Sequence, residues 1–204
     1  MVSAILLAAG ESKRMGRPKL LLKWGRSTVI EKCVDTLLAS NIDELIVVLG
    51  YRAGAIRRKL GSRRLKAVVN PHYQLGMSTS VRSGLGEVSP SCEAVLIALA
   101  DQPSIEKDLI NRLIDEYREN PHGIVLPSYR GERGHPVILN RLRYQEAMEN
   151  LTGDRGCKPI LDLHPEDILE VEVESEAAVA DIDSWEEYRS AGGHGKGVQD
   201  DDGR

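Results

Sequence analysis

The chain has 204 residues, 41% of them hydrophobic and 28% charged, and a formal net charge of −4. That length buries enough surface to fold as one domain with no disulfide or metal staple. No apolar run approaches the roughly 20 residues that span a bilayer, and the start lacks the basic-then-apolar order of a secretion signal. Cys33, Cys92 and Cys157 have no metal-ligand spacing. A cytoplasmic, reduced protein is expected, with no membrane partner, no disulfide scaffold and no zinc site.

In chain order, Val2–Ala9 is almost continuously apolar and stops at Gly10, the pattern of a buried strand opening into a loop. Thr28 and Glu31 have capping-box spacing, and Ile30, Cys33, Val34, Leu37 and Leu38 then share one helical face. Leu45–Leu49 predicts a second buried strand, residues 53–60 a basic helix, and Leu65–Val69 a short strand ended by Asn70-Pro71. Ser78 or Ser80 is placed to cap a helix ending near Gly86. Ala94–Ala100, the most apolar strand, ends on Asp101, and Ser104 is expected to cap a helix with Leu109, Ile110, Leu113, Ile114 and Tyr117 inward.

Beyond Asn120 the rhythm changes. Short strands are expected at 124–126 and 136–139, a helix at 142–150, and a half-exposed strand with period two at 168–173. A short strand ending at Asp183 and a helix at 185–189 close the domain. The alternation predicts an α/β fold of three layers, Rossmann-like, with a mostly parallel sheet between two layers of helices. The domain is expected over 1–191, with the Gly-rich polar tail 192–204 disordered.

Charge is blocked along the chain. Lys13, Arg14, Arg17, Lys19, Lys23 and Arg26 stand against Glu11 alone, and residues 52–66 are basic with no acid. From Asp162 to Glu187 every Asp, Glu, Lys or Arg is a carboxylate. This pattern points to an anionic ligand on one side of the fold. For 52–66, an ordinary solvated face is an equal reading. A nucleic-acid partner is not expected, because aromatics are only 4% of the chain and the acidic end would repel a phosphate backbone.

The loop LAAGESKRMGRPKLLL follows the first strand, so it lies at the carboxyl edge of the sheet, where open α/β folds bind ligands. Gly10 and Gly16 allow close backbone approach, and Arg14 and Lys19 can give charge-assisted hydrogen bonds to phosphate. The loop matches neither a Walker A motif nor GxGxxG. Asp101 would face it from the end of the most buried strand, a hard oxygen ligand of the kind that suits Mg²⁺. Asp181 and Asp183 offer a further metal ligand, against the alternative of a turn and helix cap. Ser78, Thr79 and Ser80 lead a helix that can hold an anion or the polar edge of a base, or merely cap itself. His135 lies between Gly134 and Pro136 in a rigid loop, and Cys157 reads as a packing residue.

These segments occur in one order: LAAGESKRMGRPKLLL, GMSTSVRSGL, ALADQP, GERGHPVIL, GDRGCKPIL and DIDSWEEY. Over residues 2–190 the chain resembles the molybdenum cofactor cytidylyltransferases, which belong to the nucleotidyltransferases of GT-A-like fold. The resemblance implies transfer of CMP from CTP to the terminal phosphate of the molybdenum-pterin cofactor, releasing pyrophosphate, with Mg²⁺ at Asp101 and Asp183. It implies nucleotide binding by Leu7, Ala8, Ala9, Gly10, Arg14, Lys19, Ser78 and Ser80. Arg14, Lys19 and Asp101 are implied to be catalytic, and Gly134, His135 and Pro136 to lie towards the pterin. A recipient molybdoenzyme is a further partner it suggests. The chain departs from the family's Asp-x-Asp-Thr-Pro-Glu pattern at Ser184 and Trp185. Guanylyl transfer from GTP, transfer to another phosphorylated small molecule, and a non-catalytic cofactor carrier are the alternatives.

Overall fold

The longest apolar runs of the sequence become the centre of a single twisted sheet. In the computed structural model, which describes residues 1–193, the chain runs through β1 (Val2–Ala8), a small hairpin of β2 (Lys23–Trp24) and β3 (Ser27–Thr28), and α1 (Val29–Leu38). It continues with β4 (Glu44–Leu49), α2 (Ala53–Leu60), β5 (Lys66–Val69), α3 (Met77–Leu85), β6 (Ala94–Leu99) and α4 (Lys107–Glu119). Then come β7 (Ile124–Tyr129), β8 (Glu132–Arg133), β9 (Val137–Asn140), α5 (Arg141–Glu149), α6 (Lys158–Leu163), β10 (Ile168–Glu172) and α7 (Trp185–Ser190).

The sheet order is β10-β7-β9-β6-β1-β4-β5, with β8 folded back on β7. β1 pairs in parallel with both β4 and β6, and β4 with β5. β9 runs antiparallel to β6 and β7, and β10 returns parallel to β7. The result is the expected α/β architecture, mostly parallel with helices on both faces. Parallel strands buried on both sides are apolar at nearly every position, which is why β1 and β6 show no polar alternation; the one polar exception, the buried Ser3 of β1, donates its hydroxyl to Glu44 Oε2 at 2.9 Å. Ala4 and Leu6 of β1 face α1, α2 and α4 through Ile30, Ile56 and Leu113, whereas Ile5 faces α3 and α5 through Val81, Leu85 and Met148. Each such fully buried aliphatic side chain contributes roughly 1.5–3 kcal/mol. Among the described residues no helix is long and apolar enough to cross a membrane.

The capping box at α1 forms as the spacing predicts, with Glu31 Oε2 accepting from the Thr28 N–H at 2.9 Å and from its hydroxyl at 2.6 Å. Other boundaries differ. α3 starts at Met77 with Gly76 as its cap, so Ser78 and Ser80 lie inside the helix, both buried. α4 starts at Lys107 with Glu106 rather than Ser104 at the cap position. The segment ending at Asp183 is no strand; one bond from the Ile182 N–H to the Asp101 carbonyl, 3.0 Å, fastens it beside β6. α6 was not predicted, being a single short helix behind Gly153 and Gly156. Gly192 and Gly193, the first residues of the expected tail, close α7 in a Schellman arrangement, donating to the carbonyls of Arg189 (3.2 Å) and Tyr188 (2.8 Å). Residues 194–204 of that tail lie outside the described residues.

α3 crosses the sheet at Gly84, where a Cβ would collide with Ile5 Cγ2 and come within 3.0 Å of Val48 Cγ2. Glycine here lets the helix lie close enough to aim its first turn at the end of β1. Gly84→Ala is expected to destabilise the protein by about 1–3 kcal/mol through overpacking. A lowered urea midpoint with an unchanged slope is the reading; an unshifted midpoint would show that Ile5 gives way freely.

Candidate active site

The loop after β1 is shaped by its own backbone. Ser12 and Gly16 take left-handed conformations (φ 56° and 66°) on either side of a short 3₁₀ turn, and the Lys19 N–H donates to Ser12 Oγ at 3.1 Å. Met15 and Leu20, both buried, pin the loop to the core. The Trp185 indole N–H adds a bond to the Met15 carbonyl at 3.2 Å. The departure at Ser184 and Trp185 is therefore structurally absorbed. Ser184 caps α7 in a box with Glu187, and Trp185 clamps the phosphate-loop candidate.

The loop walls a cleft of about 700 Å³ at the carboxyl ends of β1 and β6. Leu7, Ala8, Ala9, Gly10, Arg14, Lys19, Ser80, Asp101, Asp181 and Asp183 all line it. A Cβ on Gly10 would meet nothing within 4 Å, so that glycine opens directly on the cleft. Lys19 is the centre. Its ammonium donates to Asp101 Oδ2 and to Asp183 Oδ1, 2.7 Å each, with the lysine side chain only 12% exposed. Burial pushes the Lys19 pKa down, but Asp101 and Asp183 outweigh it and hold it above the ordinary lysine value. The Arg14 guanidinium pairs with the second oxygen of Asp183.

Carboxylate oxygens of Asp101, Asp181 and Asp183 lie within 4.8 Å of one another. Asp101 Oδ1 is buried and has no hydrogen-bond partner among the described residues. Burial, then the charges of Asp183 and Asp101, raises the pKa of Asp181. An unpaired buried oxygen within three mutually repelling carboxylates is the donor set of a hard divalent cation, and these residues fit one.

The structure separates Ser78 from Ser80. Ser78 donates through both its N–H (3.2 Å) and its Oγ (2.7 Å) to the Gly153 carbonyl, and the Met77 N–H donates to Asp154 Oδ1 at 2.8 Å. The first donors of α3 are thus used internally, and Ser78 does not line the cleft. The structure thus does not bring Ser78 together with the other expected nucleotide-binding residues, and a helix N-terminus already satisfied by a carbonyl and a carboxylate is a poor anion site. Ser80 does face the cleft. Its Oγ accepts from the side-chain amide of the buried Asn70 at 3.0 Å, which leaves the hydroxyl proton without an acceptor among the described residues.

Gly134, His135 and Pro136 do not line this cleft either. Their loop buttresses it: the His135 N–H donates to the Ala178 carbonyl at 2.9 Å, and a Cβ on Gly134 would strike that same carbonyl. They thereby hold the segment that carries Asp181 and Asp183. Burial keeps the His135 imidazole below its ordinary pKa, with Asp101 pulling the other way. Cys157 is buried, and burial pushes its thiol up to about 12, consistent with packing. The basic residues of 52–66 contribute nothing to the cleft. Arg63 pairs with Asp35 and Lys66 with Glu44 instead.

Sequence reasoning missed the residues that brace the cleft. Asn70, besides Ser80, donates to Thr79 Oγ1 at 2.8 Å and accepts from the His72 N–H at 2.9 Å. Glu11 gathers Lys13, Gln74 and Tyr73 on the opposite rim. A second hollow of about 670 Å³ lies against α5, but Arg143, Tyr144 and Asp167 there satisfy one another, and it contains none of the candidate residues.

Compared with known proteins, the chain matches the MobA-like NTP transferase domain over residues 4–168. It is 29% identical to the Nicotine blue oxidoreductase of Paenarthrobacter nicotinovorans over 92% of this chain and 95% of that one. It is 26% identical to the Molybdenum cofactor cytidylyltransferase of Escherichia coli (strain K12) over 93% and 95%. The crystal structure of Rv0371c from Mycobacterium tuberculosis H37Rv superposes with a TM-score of 0.83 at 28% identity, covering 94% of this chain and 96% of that one. The same protein is known in complex with manganese (TM-score 0.81, 27% identity, covering 94% and 97%).

Asn70→Ala removes the brace on the Thr79 and Ser80 hydroxyls and leaves the His72 N–H without its acceptor, at a position 1% exposed. It is expected to cost about 1–3 kcal/mol and to speed amide exchange at Met77 and Ser78. Unchanged exchange there would mean that Gly153 and Asp154 hold the turn alone.

Proposed function

The chain belongs to the family of MobA-like NTP transferase domains, and from that premise we propose that it moves CMP from CTP onto the terminal phosphate of the molybdenum-pterin cofactor. The observation that carries a nucleotidyl transfer is the meeting of Lys19 and Arg14 with Asp101, Asp181 and Asp183 in one cleft. The cytidylyl and pterin assignments are supported by the Escherichia coli relative and by the motifs shared along the chain. A cytoplasmic site of action is part of the same reading.

In this reaction a phosphate oxygen of the acceptor bonds to the α-phosphorus of CTP, the bond from that phosphorus to the β-phosphate bridge breaks, and pyrophosphate leaves. The attacking phosphate is already ionised, so no general base is needed. Such displacements depend on alignment and on neutralising negative charge. Lys19 and Arg14 supply that charge from the loop after β1. Gly10 lets the backbone approach the phosphates closely, with Leu7–Ala9 and Ser80 available to the base. Asp101 and Asp183, with Asp181 beside them, would hold Mg²⁺, which neutralises phosphate charge when bound. Gly134–Pro136 act by keeping the Asp181–Asp183 segment in register with Asp101.

The Paenarthrobacter relative, 29% identical over 92% of this chain, supports oxidoreduction as a second reading. That chemistry needs a hydride carrier and gives no part to three converging carboxylates, so transfer is preferred.

Pyrophosphate release with Mg²⁺ and each nucleoside triphosphate, with and without the molybdenum-loaded pterin, tests the proposal. Release that requires the pterin and prefers CTP is expected. A GTP preference moves the reading to guanylyl transfer, and tight pterin binding with no release makes the protein a carrier. Asp101→Asn is expected to lower kcat by about 10²-fold or more, on the scale of losing one charge-stabilising group. Near-normal turnover would remove Asp101 from the chemistry.

A further inference from the structure

The two cations suited to a triphosphate are occupied with the metal-ligand carboxylates. Asp183 uses both oxygens, one on Lys19 and one on Arg14, while Asp101 uses one on Lys19 and leaves Oδ1 buried and unpartnered among the described residues. Two positive side chains therefore stand among three carboxylates, and Asp101 and Asp183 are largely neutralised. A divalent ion approaching this arrangement meets an ammonium in hydrogen-bond contact with two of its three prospective ligands. Like charges at such range repel strongly inside a partly buried site.

We propose that Lys19 and Arg14 act as placeholders for the divalent cation. Without nucleotide they hold Asp101 and Asp183 together. When a triphosphate enters, the two side chains transfer to its oxygens and free the carboxylates for the metal. This rests on reading the cleft as a triphosphate site and adds its regulation: metal and triphosphate bind as a coupled pair, each weakly when alone. Linkage makes the coupling reciprocal, so the factor by which the triphosphate tightens the metal equals the factor by which the metal tightens the triphosphate.

The geometry allows the exchange. The backbone of Lys19 is held by Ser12 Oγ, so its side chain can swing while the loop stays in place. Arg14 is 76% exposed and has only Asp183 as an ion-pair partner among the described residues. The destination is close, because both side chains and all three carboxylates line one cleft. Asp101 Oδ1, buried and without a hydrogen-bond partner among the described residues, shows that Lys19 and Arg14 satisfy these carboxylates only in part.

The test is titration of the full chain with Mn²⁺ alone, no nucleotide present, followed by the electron paramagnetic resonance signal of free Mn²⁺. Lys19→Met is expected to bind Mn²⁺ about tenfold or more tightly than the unaltered protein, since a positive charge beside the ligands is gone. Arg14→Met is expected to give a smaller gain of about threefold, because its side chain is exposed and screened. Asp101→Asn should abolish the gain when combined with Lys19→Met, which assigns it to this site. Thermal unfolding checks that Lys19→Met is folded; if it is not, Arg14→Met carries the decision. Equal or weaker Mn²⁺ binding in the folded variants overturns the exchange. These titrations contain no nucleotide, so the exchange can fail while pyrophosphate release persists, and the transferase reading can fail while Mn²⁺ binding tightens.

Discussion

A partly buried ammonium must be matched by carboxylates, and at Lys19 that requirement joins three distant parts of the chain. The side chain is 12% exposed, and its partners Asp101 and Asp183 lie 82 and 164 residues further along. Removing charges from water is costly unless each is paired and hydrogen-bonded. The loop after β1, the end of β6 and the segment before α7 are therefore drawn together at this cluster of ion pairs. The rest of the molecule can be understood as what keeps those three pieces in reach.

The sheet supplies the first part. β1 and β6 are neighbours in parallel register, so the residues following them emerge side by side at the carboxyl edge, with α3 approaching over β1 and β4. The third piece has no strand to carry it and is fastened by single bonds from several sides. Ile182 bonds to the Asp101 carbonyl, Ala178 accepts from His135, and Trp185 reaches back to Met15. Tyr188 closes the set by donating to the Lys23 carbonyl while packed against Trp24 and Trp185. The segment Gly134–Pro136 thus braces the geometry without lining the cleft.

What the sequence revealed follows the range of the interactions. Buried strands were legible because β1, β4 and β6 are apolar at nearly every position, and α1 because Thr28 and Glu31 satisfy each other within one turn. Asp101 was legible as the charge that ends the most apolar run. Ser78 was not. Its hydroxyl is indistinguishable in the sequence from that of Ser80, and only the Gly153 carbonyl, 75 residues away, turns it inward. Asn70 read as half of a turn because the partners of its amide, Thr79 and Ser80, become neighbours only when α3 folds back. Ser104 read as a cap on local chemistry alone, and the helix begins later. The basic run at 52–66 invited a ligand, yet Arg63 and Lys66 balance acids on α1 and β4.

The distribution of charge inside the cleft also bears on selectivity. The cleft is lined by the charged group around Lys19 and by Glu11, Lys13 and Asp154, and by the apolar side chains of Leu7, Ala8, Ala9, Leu75 and Met77. Beside these residues the cleft is also lined by the polar side chains of Ser12, Tyr73, Gln74 and Ser80, the last accepting a hydrogen bond from Asn70. Apolar contact discriminates weakly between ligands of similar shape, but a buried polar group left unpaired by the wrong ligand discriminates strongly. Under the proposed reaction, the charged groups would hold the triphosphate of any nucleotide, and the choice among bases would fall to oriented polar atoms such as the Ser80 hydroxyl that Asn70 braces.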